Sequence, residues 1–233
     1  ILDGTLDASV HAATAALQRG ALLGLPTETV YGLAADSDND AAVAQIFAAK
    51  GRPANHPLIV HVADSAAITR YAQEVPQFAQ QLIDAFWPGP LTLILPRLPH
   101  AAKASTGGQD SVGLRCPAHP VAHAVLAACQ QLQPPVWGVS APSANKFGRV
   151  SPTTAAHVAG EFGDTLLAMP DWSGAGWDVP QYQWSTVPPG VSLTLHHCRD
   201  DDVVPFSHLA LASAVLPEAG VVEHERGGHQ FDG

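Results

Sequence analysis

Short apolar runs alternate with amphipathic stretches along the first two thirds of the chain. The apolar runs have the length of buried strands. The stretches between them are rich in alanine and leucine, which favour helices. We predict strands over 21–25, 57–62, 91–96, 111–117 and 136–141, and helices over 8–19, 41–49, 64–72, 76–86, 119–131 and 153–161. Strands that alternate with helices predict an α/β fold.

Some helix ends are marked by the residues that favour them. Asn39 or Asp40 is placed to cap the second predicted helix, and Gly51 follows its end. Ser151 is predicted to cap the last of these helices, with Pro152 at its first position. These signals mark the places where loops begin, and several of the candidate site residues named below lie in those loops.

The pattern changes near residue 169. The segment 169–233 carries three of the five tryptophans, two arginines, no lysine and nine acidic residues. It shows no sustained period, and we expect order chiefly near 191–195 and 207–216. The sequence therefore predicts one α/β domain over 1–168 and a divergent, poorly packed tail over 169–233.

Composition narrows the function classes. Hydrophobic residues make up 46% of the chain and charged residues 14%, which is ample for a sizeable core. No apolar run is long enough to span a bilayer, and the first residues lack the basic flank and apolar core of an export signal. Three scattered cysteines fit a reducing cytoplasm. A net charge of −10 argues against a broad nucleic-acid-binding surface, although a local basic cavity in the first 168 residues stays open.

Two cations stand just past the second predicted helix. Lys50 and Arg52 are separated by one residue, so on an extended backbone their side chains share a face. They would then converge on one phosphate, lysine as a point charge and arginine as a bidentate fork. The alternative is a solvated helix end, where the dipole favours cations.

Two other loops place polar groups directly after predicted strands. Ser143 and Asn145 follow one strand in a loop of small residues, where a ligand can approach the backbone. Thr27, Glu28 and Thr29 bring hydroxyls and one carboxylate to a similar edge. The alternative in both places is a turn whose side chains bond to their own backbone.

Several familiar sites are excluded. The chain has no glycine-rich phosphate loop of the P-loop or Rossmann type and no nucleophile elbow. His119 and His123 have helical spacing, and His196, His197 and Cys198 are adjacent, but neither group has the second ligand pair of a zinc site. We therefore assign no metal-binding residue.

Five blocks in one order carry a resemblance. They read PTETVYGL, KGRPANHPLIVHV, WPGPLTLIL, SVGLRCPAHP and APSANKFGRVSPT. Over about residues 8–168 the chain resembles the YrdC-like family of threonylcarbamoyl-AMP synthases. The resemblance implies a twisted open sheet with flanking helices around a concave basic cavity. It also implies that L-threonine, bicarbonate and ATP give L-threonylcarbamoyl-AMP and pyrophosphate, for threonylcarbamoyladenosine modification of tRNA.

The same resemblance implies residue roles. Lys50 and Arg52 would be catalytic. ATP would be bound by Lys50, Arg52, Ser111, Ser143, Asn145 and Ser151, and threonine by Thr27, His61 and Arg115. Mg²⁺ is expected because pyrophosphate leaves, and downstream threonylcarbamoyl-transfer proteins would be partners.

The tail departs from the family pattern. A Glu-Ser-Thr segment is expected there, but Trp184 stands where the glutamate would be, and no Arg-Pro-Gly stretch occurs. The alternatives are a diverged lid and an altered reading frame after about residue 168. The missing motif leaves open an inactive paralogue. A separate alternative is an RNA-binding module of the same fold, with weak RNA binding.

Overall fold

The computed structural model describes residues 1–163, 167–168, 194–198 and 220–225. The chain divides into two compact units, 1–176 and 177–233, and each is described by itself. The order expected near 207–216 lies outside the described residues. The domain boundary after residue 168 stays a prediction.

The predicted helices are confirmed to within two residues at either end, with one difference in type. The segment predicted as a helix over 64–72 is a short 3₁₀ helix, which Asp64 caps by accepting the N–H of Ala67 at 3.1 Å. Among the described residues of the first unit the helices are α1 (Asp7–Gln18), α2 (Asp40–Lys50), the 3₁₀ helix (Ser65–Arg70), α3 (Gln77–Phe86), α4 (Pro120–Gln130) and α5 (Ala155–Phe162).

A mixed seven-stranded sheet forms the centre of the first unit. Its order is β4-β5-β3-β6-β2-β1-β7. The pairs β3–β5 and β1–β7 are parallel, and the other neighbours are antiparallel. The strands are β1 (Leu23–Leu25), β2 (Gly32–Asp36), β3 (Ile59–Val62), β4 (Leu93–Pro96), β5 (Ser111–Arg115), β6 (Gly138–Ser140) and β7 (Leu167–Ala168). The predicted α/β open sheet is confirmed.

Strand β2 was not predicted, although it lies between β6 and β1. Its sequence is Gly-Leu-Ala-Ala-Asp, which lacks β-branched residues and apolar–polar alternation. Successive side chains of a strand point to opposite faces. Leu33 packs in the cluster with α2, and Ala34 packs in the cluster with α1. Burial on both faces therefore removed the pattern by which a strand is recognised.

Helices cover the sheet and bury its apolar residues. Leu17 of α1 and Val125 of α4 share a core cluster with Leu25 of β1. Helices α2 and α5 pack in a second cluster with β2, and the 3₁₀ helix and α3 pack in a third with β3, β4 and β5. One face of β3, β4 and β5 is thereby covered by helices.

The ends of two helices carry the loops of the candidate site. Asn39 caps α2 as predicted, accepting the N–H of Ala42 at 3.1 Å, and Gly51 ends the helix in the left-handed region at φ 64°. The predicted cap of α5 is wrong. Thr154 caps that helix, accepting the N–H of His157 at 3.1 Å, so Ser151 lies in the preceding loop.

The loop between β4 and β5 braces the loop after α2. The N–H of Leu58 donates to the carbonyl of Ser105 at 2.7 Å. Gly107 has φ +59°, and a side chain there would collide with the carbonyl of Asn55. The segment between α2 and β3 is thus held in place by close backbone packing.

The second unit contains a pair of parallel strands among its described residues. Strand β8 (Thr194–Cys198) pairs with β9 (Gly220–His224). Strand β8 overlaps the run at 191–195 where order was expected.

Candidate active site

The loops that carry the predicted site residues lie against one another. In the loop after β1, the N–H of Tyr31 donates to Pro152 at 2.9 Å, and its carbonyl accepts the N–H of Ala144 at 2.7 Å. Gly32 forms a bridge with Ser143. The loop after β1 therefore packs along the loop after β6, which holds the Ser-Ala-Asn sequence.

Lys50 joins the loop after α2 to the loop after β6. Its Nζ donates to the carbonyls of Ser143 at 2.6 Å and Asn145 at 2.5 Å. The N–H of Phe147 donates to the Lys50 carbonyl at 2.8 Å. Burial, helped by nearby Arg52, lowers the Lys50 pKa from 10.5 to about 8. The two motifs singled out in the sequence thus meet through this amine.

Arg52 is half-buried beside Lys50. Its Nη2 donates to the carbonyl of Pro57 at 3.3 Å, but its buried Nε has no hydrogen-bond partner among the described residues. Burial lowers the pKa of Arg52. A buried cationic donor without a partner is costly, so this atom suits an anionic ligand.

The polar groups of the loop after β6 differ in how they are used. The Asn145 Nδ2 donates to the carbonyls of Lys146 at 2.9 Å and Arg149 at 2.7 Å, while its buried Oδ1 has no partner in the described part of the chain. Ser143 and Ser151 are half-buried. The amide of Asn145 shapes this loop and leaves one acceptor open.

Arg115 ends β5 and is held by the loop after β1. Its Nη2 donates to Glu28 Oε1 at 2.6 Å and to Thr29 Oγ1 at 3.1 Å. Its buried Nε has no partner in the described structure. Glu28 Oε2 accepts the N–H of Ala118 at 3.1 Å. Glu28 and Thr29 were not assigned roles from the sequence, and the only signal for them was a carboxylate between two hydroxyls.

His61 lies opposite Arg115 in the register of β3 and β5. The imidazole is buried, which together with the Arg115 charge lowers the His61 pKa to about 3. The ring is therefore neutral at pH 7. Its Nδ1 has no hydrogen-bond partner among the described residues, so each of the two paired strands carries one buried side-chain nitrogen without a partner.

Thr27 is buried, and its hydroxyl bonds to the backbone of the turn in which it lies. The Oγ1 donates to the carbonyl of Val30 at 2.6 Å and accepts the N–H groups of Thr29 and Val30 at 3.3 Å. The capped turn that we weighed as an alternative is present. The role of Thr27 toward threonine stays a prediction.

The parallel register of β3 and β5 sorts the candidates into two groups. Ser111 begins β5 and lies about 13 Å from Arg115 along the strand, with its Oγ 3.5 Å from the Gln109 side chain. The N–H of Ala141 donates to the Ile59 carbonyl at 3.1 Å, so the loop after β6 leaves from the start of β3. The predicted ATP ligands thus gather at the start of β3 and β5, and His61 and Arg115 lie near their ends.

Within the described part of the chain, the sheet face between these two groups is left open. Ile59 is 36% exposed and Ile94 is 74% exposed, and Gly113 places no side chain between them. The helices cover the opposite face, where Val60 and Leu114 are buried. A ligand lying along this face would reach both polar groups.

Unpartnered buried side-chain atoms concentrate at this place. Five such atoms occur among the described residues, and four of them belong to residues predicted for the site. The four are Arg52 Nε, His61 Nδ1, Arg115 Nε and Asn145 Oδ1, and the fifth is Gln130 Nε2 on α4. Buried polar groups are normally paired, so their occurrence at both ends of this sheet face indicates a ligand site.

A separate cavity of about 250 Å³ adjoins the loop after α2. It is lined mostly by small and apolar residues of α2 and of the loop before β5: Ala44, Phe47, Ala54, Lys103, Ala104, Gly107 and Gly108. The unpartnered polar atoms do not line this cavity.

Comparison with known proteins decides the family. Residues 15–173 match the model of the Sua5/YciO/YrdC family, whose description is "Telomere recombination". The chain belongs to this family. The matched segment contains all the predicted site residues, and the resemblance seen in the sequence is confirmed.

Named relatives share this region. The threonylcarbamoyl-AMP synthase of Pyrococcus abyssi is 43% identical over 153 residues, which are 66% of this chain and 43% of that protein. That of Halorhodospira halophila is 36% identical over 166 residues, covering 71% of this chain and 84% of that protein. The structure of P. abyssi Sua5 complexed with L-threonine matches with a TM-score of 0.68 and 31% identity, covering 93% of this chain and 60% of that one. The chain thus spans less than half of the full Pyrococcus relative.

No helix in the described part of the chain is both long and apolar enough to cross a membrane.

Proposed function

We propose that this chain catalyses the ATP-dependent synthesis of L-threonylcarbamoyl-AMP from L-threonine and bicarbonate. The observation that carries the proposal is the set of four unpartnered buried atoms around the open face of β3 and β5. The family and the names of its relatives support the same chemistry. The adenylate would serve threonylcarbamoyladenosine modification of tRNA through downstream transfer proteins.

The reaction joins two anions. The amine of threonine takes up CO2 from bicarbonate as a carbamate, and water and a proton are released. A carbamate oxygen then attacks the α-phosphate of ATP, and the bond to the β-phosphate oxygen breaks to release pyrophosphate. Because both partners are negative, positioning and charge neutralisation supply most of the catalysis.

The nucleotide would lie at the start of β3 and β5. Arg52 offers an unfilled Nε, and Lys50 has three N–H donors of which two are bound to carbonyls. Both would neutralise the triphosphate. Hydroxyls and the Asn145 amide would supply the remaining contacts, from Ser111, Ser143 and Ser151.

The amino acid would lie at the ends of the same strands. Arg115 would take its carboxylate through the unfilled Nε. Neutral His61 would meet a polar group of the substrate, and Thr27 would shape the pocket through its turn. From there to the nucleotide end, the carbamate would cross the open face at Ile59 and Gly113.

Mg²⁺ would accompany the triphosphate. Among the described residues no group of three or more His, Cys, Asp or Glu could hold a metal ion. Mg²⁺ commonly binds through substrate phosphates with few protein ligands. Mg²⁺ would therefore be held chiefly by the phosphates of the nucleotide. A cytoplasmic setting is also part of the proposal, resting on three scattered cysteines.

The direct test is incubation with ATP, L-threonine and bicarbonate, followed by mass detection of threonylcarbamoyl-AMP. Arg52→Ala should lower the rate at least about tenfold, which corresponds to about 1.4 kcal/mol of transition-state stabilisation. Arg19→Ala is the matched control, because Arg19 is exposed just beyond α1. Pyrophosphate release without adenylate, or equal rates in the two variants, would contradict the proposal.

A further inference from the structure

Glu28 touches two separate elements of the structure. One carboxylate oxygen accepts from Arg115 Nη2 at 2.6 Å, and the other accepts the backbone N–H of Ala118 at 3.1 Å. The side chain of Glu28 is 6% exposed and that of Arg115 is 10% exposed. The carboxylate therefore links the end of β5 to the segment that leads into α4.

The backbone contact that holds Glu28 in place is present without a substrate. Ala118 precedes His119, the N-cap of α4, so the carboxylate lies close to a helix N-terminus. A helix N-terminus favours negative charge, and the Ala118 N–H fixes the direction of the carboxylate. Glu28 is thus a rigid partner for Arg115 in the free protein.

The guanidinium of Arg115 is only partly used by these contacts. An arginine has five N–H donors in a fixed plane. Contacts to Glu28 and Thr29 engage Nη2, and the buried Nε has no partner among the described residues. Because Nη2 bonds to two acceptors, rotation of the rigid guanidinium plane is restricted, and the direction of the Nε–H bond is restricted with it.

We infer that Glu28 is a positioning residue that orients Arg115 so that its unfilled Nε meets the carboxylate of the amino-acid substrate. The inference rests on the proposed function, because it takes that substrate to be L-threonine. Glu28 does not touch the substrate in this arrangement. It acts through Arg115.

Stability alone does not account for an ion pair at this place. A buried ion pair can often be replaced by well-packed apolar residues without loss of stability. In a binding site the pair does increase affinity, because a donor that is already oriented loses little conformational freedom when the ligand binds. The pair is neutral overall, because Glu28 cancels the charge of Arg115. The carboxylate of the ligand would therefore meet a directed N–H donor beside neutral His61 rather than a free positive charge.

The test is Glu28→Gln, which keeps the shape and one acceptor oxygen but removes the charge. We expect the Kd and KM for L-threonine to rise about tenfold, while those for ATP change less than about twofold. Calorimetric titration of the free protein with L-threonine gives the Kd without turnover. Melting temperatures verify that the variant is folded.

Glu161→Gln is the matched control. Glu161 also accepts one backbone N–H, from Lys146 at 2.9 Å, and one arginine nitrogen, from Arg149 at 3.2 Å. It lies on α5 and holds the loop after β6, at the nucleotide end, so its loss should leave the Kd for threonine unchanged. If Glu28→Gln does not fold, Glu28→Asp keeps the charge but withdraws it by one methylene, and it should raise the Kd for threonine selectively.

The outcomes separate the inference from the proposed function. A parent protein that forms the adenylate, with variants of Glu28 that bind threonine normally, overturns the inference alone. A rise for ATP equal to that for threonine also overturns it, because Glu28 would then support the fold only. A parent that binds neither ATP nor threonine overturns the proposed function and the inference together.

Discussion

Among the described residues, two glutamate–arginine pairs are built on the same plan in different surroundings. Glu28 binds Arg115 and a backbone N–H near the start of α4. Glu161 binds Arg149 and the backbone N–H of Lys146. The first pair is 2.6 Å long with side chains 10% and 6% exposed. The second is 3.2 Å long with side chains 64% and 17% exposed.

The difference teaches what burial does to an ion pair. In water the attraction is screened and the side chains remain free to move, so exposed pairs contribute little. In the interior, removing one partner leaves an unpaired buried charge, so the loss of the same contact costs much more stability. The buried pair can therefore fix the geometry of a binding site, whereas the exposed pair can only tie down a loop.

The largest expected effect is on folding stability when the buried pair is broken. Arg115→Ala leaves the Glu28 carboxylate buried without its cationic partner. We expect the free energy of unfolding to fall by about 3–5 kcal/mol. Urea denaturation followed by circular dichroism measures it.

The control for this variant is Arg149→Ala in the exposed pair. Equal losses of stability in Arg115→Ala and Arg149→Ala would break the comparison. They would mean that water hydrates the Glu28 carboxylate when Arg115 is removed.

The second prediction is that folding stability falls at acid pH because His61 is buried. The pKa of His61 is lowered to about 3 by burial, from 6.5 in the unfolded chain. Between these values the unfolded state binds the proton and the folded state does not, so stability is lost as pH falls from 6.5 toward 3. The loss is on the order of 1.4 kcal/mol per pH unit for this one group. His61→Asn should make the unfolding free energy depend less steeply on pH in that window. An unchanged slope would contradict the conclusion that the His61 imidazole is neutral in the folded protein.

Much of the fold was predictable because its elements carry local signals. α2 has a capping asparagine, and Gly51 ends it in the left-handed region, so its bounds were confirmed almost to the residue. Strand β2 was missed because it is buried on both faces and built from Gly, Leu and Ala. Its identity as a strand depends on β1 and β6 at its sides, which no local pattern encodes.

The site was predictable only in part, for a similar reason. Lys50 and Ser143 were expected to lie together, and they do, although Lys50 reaches the Ser143 carbonyl and not its hydroxyl. The contact between Glu28 and Arg115 spans 87 positions in the sequence, and nothing local to either residue announces it. The residue types indicated the chemistry of the site. Which side chains lie opposite each other, such as His61 and Arg115, depended on the register of β3 and β5.

A third prediction concerns the backbone clamp formed by Lys50. Lys50→Met removes both donors to the carbonyls of Ser143 and Asn145. We expect amide hydrogen exchange in 144–149 to accelerate at least about tenfold in the free protein, because each lost bond to a charged group costs about 1.5–3 kcal/mol. Arg52→Ala is the matched control, since Arg52 bonds to Pro57. If both variants accelerate the same amides equally, Lys50 is not the clamp.

The smallest effect should come from the exposed pair itself. The Glu161 pKa is lowered first by the N–H of Lys146 and less by Arg149, so the carboxylate keeps its main partner when Arg149 is removed. Arg149→Ala should therefore cost less than about 1 kcal/mol of unfolding free energy at low salt. At 1 M salt the screening length shrinks to about 3 Å, and the difference from the parent should disappear. The loss caused by Arg115→Ala should persist at the same salt concentration, because solvent ions do not reach a buried pair. Denaturation curves of both variants at low and high salt measure the contrast directly, and a salt-sensitive Arg115→Ala would show that Glu28 and Arg115 are hydrated rather than buried.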